Sequence, residues 1–224
     1  MSVSMSIIGL LVYLHILLMV FWLGTDLGVF FAGLRFMDPT RSITERRAVL
    51  DLGMVIDRFP RVCYIMMFPV GLQLTYSLGI MPSLSAGTIA LAWAIGSVWL
   101  LIAFLGMSQH DRPVARVWHR IEQIFRLTAI LVFSSVAIGI WVNRIVAPGW
   151  LAGKFLGYAG ISFAAFLLER AFRPVATTFG EIAQDGSSAE REAILRNQMV
   201  LTYVWVLVIY AGVLVCGFLG AVKP

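Results

Sequence analysis

The sequence predicts an all-α fold, a polytopic transmembrane helical bundle of about six spans with both termini outside the cytoplasm. Of the 224 residues, 60% are hydrophobic and only 13% are charged, whereas roughly a quarter of the residues in a soluble domain are charged. Several apolar runs reach the length of about 20 residues that spans a bilayer as a helix. The arginines are concentrated in alternate connections between these runs, which is the pattern that orients membrane helices.

Hydropathy predicts one transmembrane domain that uses the whole length, residues 1–224. The six spans are expected near residues 7–34, 59–80, 88–107, 124–145, 150–172 and 199–222. They are predicted to be helices because every backbone amide in a bilayer needs a partner within the protein. Barrel strands are not expected, since these runs are apolar on all sides and lack the alternation of lipid-facing and lumen-facing residues.

The first span is expected to be retained rather than cleaved as a signal peptide. Residues 1–6 carry no basic side chain, and the apolar run behind them is longer than a signal-peptide core. The two cysteines, Cys63 and Cys216, are predicted near opposite membrane faces, so a disulfide between them is not expected. They also form no zinc-site signature.

The basic residues predict the orientation of the chain. The connections after the first, third and fifth spans hold all but three of the 17 basic residues, namely Arg35, Arg41, Arg46, Arg47, Arg58, Arg61, Arg112, Arg116, Arg120, Arg126, Arg170, Arg173, Arg191 and Arg196. Only Arg144, Lys154 and Lys223 lie toward the other side. The positive-inside rule therefore places both termini outside the cytoplasm. The charge of +5 is then an orientation signal that meets anionic lipid, and no nucleic-acid partner is expected.

The connections on the two sides of the membrane differ in character. Residues 81–87 and 147–149 are short outer turns rich in Pro, Gly and Ser. The inner segments are longer, and residues 41–57 are predicted to form an amphipathic helix at the inner surface. Residues 175–197 contain the stretch Asp185-Gly186-Ser187-Ser188, which predicts a mobile loop.

His15 is the residue that most strongly suggests chemistry, because an ionisable side chain inside a span is costly and needs a reason. At 100° per residue, Trp22 and Asp26 point within about 20° of His15, and Met19 within about 40°. A neutral imidazole is a good ligand for haem iron, and a helical bundle can hold a flat macrocycle. The alternative is a histidine that only bonds a neighbouring helix. His110 and His119 are predicted in an inner connection.

The string from His15 through Trp22 to Gly24, followed by Asp26 and Phe30, resembles a first-helix motif His-x6-Trp-x-Gly. That motif occurs in a loose group of bacterial membrane proteins: copper-resistance D-type proteins, small membrane protoporphyrinogen oxidases and the membrane domains of cytochrome-linked urate oxidases. The resemblance implies a multi-pass protein of a bacterial inner membrane. It also implies that His15 binds the iron of haem b.

A haem on His15 would lie in the outer half of the membrane, roughly 12 Å from the start of the first span. Its propionates need cationic or hydrogen-bonding partners, for which Arg144, Asn143 and Lys154 are the candidates. The alternative for the two cations is that they extend to lipid headgroups. Trp22 either lines the haem site or packs in the core.

The sixth iron position has no evident protein ligand, because His119 is predicted near the opposite face. It would be open or filled from another source. The candidates are Tyr76, Gln73, a methionine of another span, or a partner subunit.

Asp26 is predicted to form a structural ion pair with Arg58 or Arg61, which enter the second span from the same side. The alternative is that Asp26 belongs to a proton path. Glu169 is expected to form a similar cluster with Arg126, Arg170 or Arg173.

Three functions remain open from the sequence. The first is a haem-b redox protein, such as a membrane oxidoreductase, that transfers electrons between a quinone or small substrate and an outer-side electron carrier. The second is a transporter, of copper for example, with soft ligands among Met5, Met19, Met66, Met67 and Met199. The third is a non-catalytic accessory subunit of a larger complex. A homo-oligomer or hetero-oligomer is compatible with all three.

Overall fold

A computed structural model of the chain describes residues 2–108 and 114–224, with side chains from Ile7 onward. These residues contain no β-strand and form seven helices: α1 (Ser2–Phe36), α2 (Ile43–Ile56), α3 (Arg58–Ser77), α4 (Ala86–Ser108), α5 (Ala115–Trp141), α6 (Gly149–Asp185) and α7 (Ala189–Val222). The predicted all-α fold is confirmed. His110, Arg112 and the side chain of Met5 lie outside the described residues.

Five of these helices, α1, α4, α5, α6 and α7, are long and apolar enough to cross a membrane. The predicted second span corresponds to α3, which is 20 residues long but is not among the five. Its sequence includes two arginines, two prolines and a glutamine, and these residues lower its hydropathy. A membrane crossing by α3 stays a prediction.

The helices pack around a ring in the order α1, α3, α4, α5, α6 and α7, and α7 returns to α1. The Met19 sulfur lies against Gly217, and the Tyr203 hydroxyl donates a hydrogen bond to the Phe30 carbonyl at 3.5 Å. These contacts make α1 and α7 antiparallel, so both termini lie at one end of the bundle, the terminal end. The opposite end, where α1 finishes and α3 begins, is the arginine-rich end. Which end faces the cytoplasm stays a prediction.

Aromatic side chains fill the centre of the ring. Tyr64 stacks on Tyr158 with ring centroids 5.1 Å apart, and Trp22 and Trp99 meet it edge-on at 5.6 and 5.4 Å. Large apolar side chains such as Leu131 cover the outside of the helices, which is typical of a surface in contact with lipid. The bundle therefore has an aromatic core and an apolar outer surface.

Helices α6 and α7 continue far beyond the predicted spans. They have 37 and 34 residues, or about 55 and 51 Å at 1.5 Å per residue, whereas the hydrocarbon core is about 30 Å thick. The predicted loop 175–197 is therefore mostly helical, and only residues 186–188 interrupt it. These extensions enclose a second core at the arginine-rich end, formed by Phe36, Val175, Phe179, Ile182, Leu195 and Met199.

The predicted amphipathic helix is confirmed as α2, which runs back along α1. Ser42 and Glu45 form a capping box at its start, and the hydrogen bonds that Glu45 accepts from Ser42 lower the pKa of this carboxyl. Gly53 packs on Ala32, so the two helices approach closely. The α2 helix thus covers the second core.

Arg46 of α2 is fully buried in this second core, at 0% exposure. Its guanidinium makes two hydrogen bonds to Glu192 of α7, at 2.7 and 3.0 Å, and its Nε donates to the Phe36 carbonyl at 2.8 Å. The guanidinium carbon also lies 5.7 Å from the Phe36 ring and 5.3 Å from the Phe179 ring. This pair joins α2 to α7, which are far apart in sequence.

Small residues at intervals of four let α6 and α7 approach closely. The side chains of one helix lie over glycines of the other: Cys216 over Gly157, Leu219 over Gly153, Ile161 over Gly212 and Lys154 over Gly220. A Cβ atom at any of these glycines would meet the opposing side chain closer than ordinary van der Waals contact. A larger residue at any of these glycines would therefore require the opposing side chain to move.

Candidate functional site

His15 lies on the side of α1 that faces α3, near the terminal end of the bundle. Its Nδ1 atom is buried and has no hydrogen-bond partner in the described part of the chain. A Cβ atom at Gly71 of α3 would lie 3.4 Å from Cε1 and 3.9 Å from Nδ1 of His15. The imidazole thus packs against the α3 backbone at Gly71, and no described residue satisfies its buried nitrogen.

The sequence of α3 explains why its backbone is bare at this point. Pro69 has no amide hydrogen, which breaks one helical hydrogen bond, and its ring packs against Gly96 of α4. Two residues later Gly71 offers no side chain, and the Thr75 hydroxyl donates to the Gly71 carbonyl at 2.8 Å. The α3 helix is therefore held close to both neighbours opposite His15.

Of the predicted stripe of His15, Met19, Trp22 and Asp26, the side chains of His15 and Trp22 both face α3. Trp22 meets Tyr64 edge-on and is buried in the aromatic core, roughly 10 Å along α1 from His15. Met19 points instead toward Gly217 of α7. Trp22 thus lies between His15 and the core rather than beside the imidazole.

The structure does not bring Arg144 and Asn143 to His15. Both are exposed in the turn after α5, where Asn143 has a φ of 57°, and the ring order places α5 away from α1. Lys154 of α6 is closer, since its Nζ lies over Gly220 of α7, about one turn from Gly217, which contacts Met19 of α1. Lys154, the third cation considered from the sequence, is therefore the better placed partner for an anionic group.

Two predicted candidates for a second iron ligand are directed elsewhere. Gln73 accepts a hydrogen bond from the Trp93 indole at 3.2 Å and donates to Ser77 at 3.2 Å, and Tyr76 is 39% exposed. Across residues 2–108 and 114–224, no group of three or more His, Cys, Asp or Glu side chains is placed to hold a metal ion. His15 therefore belongs to no such group among the described residues.

The predicted pairing of Asp26 is not found. Arg61 pairs with Asp57 at 3.0 Å and with Glu122 at 3.3 Å, while Arg58 is exposed, and no salt bridge among the described residues joins either arginine to Asp26. The reason is local, because Asp57 lies one helical turn before Arg61.

The predicted cluster around Glu169 is confirmed in part and is larger than expected. Glu169 pairs with Arg126 at 3.1 Å and with Arg173 at 3.2 Å, whereas Arg170 packs over the Phe166 ring. The sequence analysis missed Glu122, which is only 2% exposed and bonds Arg126 at 2.7 Å. The spacing of four residues between Glu122 and Arg126 places the two side chains on one face of a helix and could have predicted this ion pair.

Comparisons of the chain with protein-family models, with curated proteins and with solved structures found no match.

Proposed function

We propose that this chain is a haem-b-binding integral membrane redox protein in which His15 ligates the iron. The observation that carries the proposal is the buried Nδ1 atom of His15, which has no hydrogen-bond partner among the described residues. A histidine that serves only to join two helices would donate or accept a hydrogen bond across them. His15 instead packs against a glycine.

The residues around His15 fit one axial ligand and one propionate partner. The imidazole supplies the ligand, and Lys154 supplies a cation that can pair with a carboxylate. Arg144 and Asn143 lie at the same end of the bundle, but they follow α5, which is not next to α1 in the ring. They are therefore not placed to pair with a propionate of the same haem. When bound, haem b supplies one-electron transfer.

The position of His15 supports exchange of electrons with a quinone in the bilayer or with a carrier at the terminal end. His15 lies near that end of α1, and its neighbours Tyr13 and Ile16 are exposed on the lipid-facing surface. A lipid-soluble quinone could therefore approach α1 from the side. The proposed location is the inner membrane of a bacterium, with the terminal end outside the cytoplasm.

The first prediction is that the purified protein has a Soret band and that His15→Ala abolishes it. The reason is loss of the proposed iron ligand, and the measurement is a visible spectrum with haem quantified per protein. His119→Ala is the matched control, because His119 is 38% exposed and lies near Glu122 rather than at the proposed site. A wild-type protein without haem, or a His15→Ala protein that keeps full haem content, would refute the proposal.

The second prediction concerns the glycine beside the imidazole. Gly71→Leu should reduce haem content several-fold while the helical signal is kept, because its side chain would occupy the space next to the His15 ring. Gly24→Leu on α1 is the control, since a Cβ there meets nothing within 4 Å. Equal haem content in the two variants would show that haem binding does not depend on the packing of the His15 ring against Gly71.

A further inference from the structure

The ring of helices is closed least firmly where α7 returns to α1. This α1–α7 seam runs from the contact of Met19 with Gly217 to the contact of Gly33 with Met199. Among neighbouring helices of the ring, α1 and α7 have the least extensive contact in the described residues. Of the five helices long and apolar enough to cross a membrane, α1 is also the least buried. Segments with few buried contacts open most readily, so this seam is the part of the ring most able to separate.

The arginine-rich end of the seam is held by polar and aromatic contacts. The Tyr203 hydroxyl donates a hydrogen bond to the Phe30 carbonyl, and the two rings lie 4.7 Å apart between centroids. The pair of Arg46 and Glu192 adds a second connection, because it joins α7 to α2, which packs on α1. Separation at this end would break hydrogen bonds that lipid tails cannot replace.

The terminal end of the seam is held by apolar contact. The sulfur of Met19 lies over Gly217, and a methionine side chain is flexible and adapts to changed surroundings. Between Phe30 and the terminal end, no hydrogen bond, ion pair or ring contact joins α1 to α7 in the part of the chain that the structure describes. Lipid tails are as apolar as these side chains and can replace such a contact at little cost. The terminal end is therefore the end that opens first.

Thr25 provides a point at which α1 can bend. Its hydroxyl donates a hydrogen bond to the Phe21 carbonyl at 2.5 Å, and bonds of this kind often bend helices. Thr25 lies between Met19 and Phe30 along α1. A bend at Thr25 would therefore move the terminal half of α1 away from α7 while the other half keeps its contacts.

Two basic side chains border the terminal end of the seam. His15 lies one helical turn from Met19 on α1. On the other side, Lys154 Nζ lies over Gly220, about one turn from Gly217. A molecule that entered here from the bilayer would meet an imidazole and an ammonium group between apolar helices. These groups suit a flat, largely apolar molecule that carries an iron and carboxylates.

We propose that the α1–α7 seam is a lateral gate, which opens at its terminal end within the bilayer and admits haem b to His15 and Lys154. The arginine-rich end stays closed and keeps the ring together. The identity of the admitted molecule rests on the proposed function, whereas the opening of the seam does not.

The opening is tested first without haem. Pairs of spin labels are placed on lipid-exposed positions of α1 and α7, Ile16 with Phe218 at the terminal end and Phe31 with Val204 at the arginine-rich end, after both native cysteines are replaced by alanine. In lipid vesicles, electron–electron resonance should give a distance distribution at least about twice as wide at the terminal end. Equal widths at the two ends would overturn the proposal.

The second experiment tests entry of haem. Met19→Cys and Gly217→Cys are combined in the same background, and oxidation of this pair joins the terminal end of the seam. The oxidised apo-protein should take up added haem at least about tenfold more slowly than the reduced apo-protein, because the gate is one of the openings that proteins use for access. Oxidation after loading is the control and should leave the Soret band unchanged.

The two experiments separate failure of the gate from failure of the proposed function. Uptake of haem at the same rate by the oxidised and reduced proteins would exclude the seam as the entry route. A protein that takes up no haem in either state would instead refute the proposed function, and the spin-label distances would still decide whether the seam opens.

Discussion

Replacing Arg46 by methionine is expected to lower the free energy of unfolding by about 3–5 kcal/mol, because the buried Glu192 carboxylate loses its partner. Glu192 would keep only the hydrogen bond from the Ser187 hydroxyl, at 2.7 Å. The Phe36 carbonyl would also lose its donor from Arg46 Nε. The measurement is equilibrium unfolding in detergent, followed by helical circular dichroism.

The double variant Arg46→Met with Glu192→Met should recover most of this loss. Two apolar side chains of similar volume can replace a buried ion pair at little net cost, and the difference between the single and double variants gives the coupling energy. Arg191→Met is the control for loss of charge, since Arg191 pairs with Asp185 in an exposed salt bridge that should contribute at most about 1 kcal/mol. Equal losses for Arg46→Met and Arg191→Met would mean that the burial of Arg46 is unimportant.

The helices of the bundle could be predicted because the signal for each is contained in its own sequence. Apolar runs of bilayer length identify α1, α4, α5, α6 and α7, and the amphipathic pattern of apolar residues among charges identifies α2. The extensions of α6 and α7 could not be found in this way. A hydropathy window detects the apolar part of a helix but not the polar turns that continue it. Residues 173–198 are polar overall yet helical except at residues 186–188, and they contribute Val175, Phe179, Ile182 and Leu195 to the second core.

The candidate site was predictable only along one helix. The helical period places His15 and Trp22 on one face of α1 without knowledge of the other helices. Which residue of α3 lies opposite His15 depends on how α1 and α3 are aligned. The periodicity within either helix does not determine that alignment. Arg144 was a reasonable choice by depth, but the order of helices around the ring separates it from His15 and brings Lys154 closer.

The same limit explains the ion pairs. Asp26, Arg58 and Arg61 were expected to meet because they lie at similar depth. Similar depth in the membrane does not determine which carboxylate an arginine pairs with. Arg61 pairs with Asp57, which lies one helical turn before it, and with Glu122 of the neighbouring helix α5. Glu122 was overlooked because it lies in a connection assumed to be at the surface, where a carboxylate needs no explanation.

Gly157→Leu is expected to disrupt the packing of α6 on α7, since the Cys216 sulfur already occupies the space where the new side chain would begin. Insertion of extra atoms into a tightly packed contact costs about 1–3 kcal/mol and often more. No rotamer of leucine at position 157 avoids this contact, because its Cβ itself meets the sulfur. The Cys216 side chain or the α7 backbone would have to move. We expect a large decrease in the thermal midpoint, measured in detergent, and increased proteolysis at residues 186–188 between the two helices.

Gly160→Leu separates this steric effect from every other consequence of replacing a glycine. Position 160 is on the same helix, and a Cβ there meets nothing within 4 Å, so both variants gain the same helix propensity of up to about 1 kcal/mol. Gly157→Ala should be destabilising alone and should be rescued by Cys216→Gly, which removes the sulfur from the contact. Rescue would locate the constraint in this one contact, whereas equal midpoints for Gly157→Leu and Gly160→Leu would mean that α6 and α7 are not in close contact at Gly157.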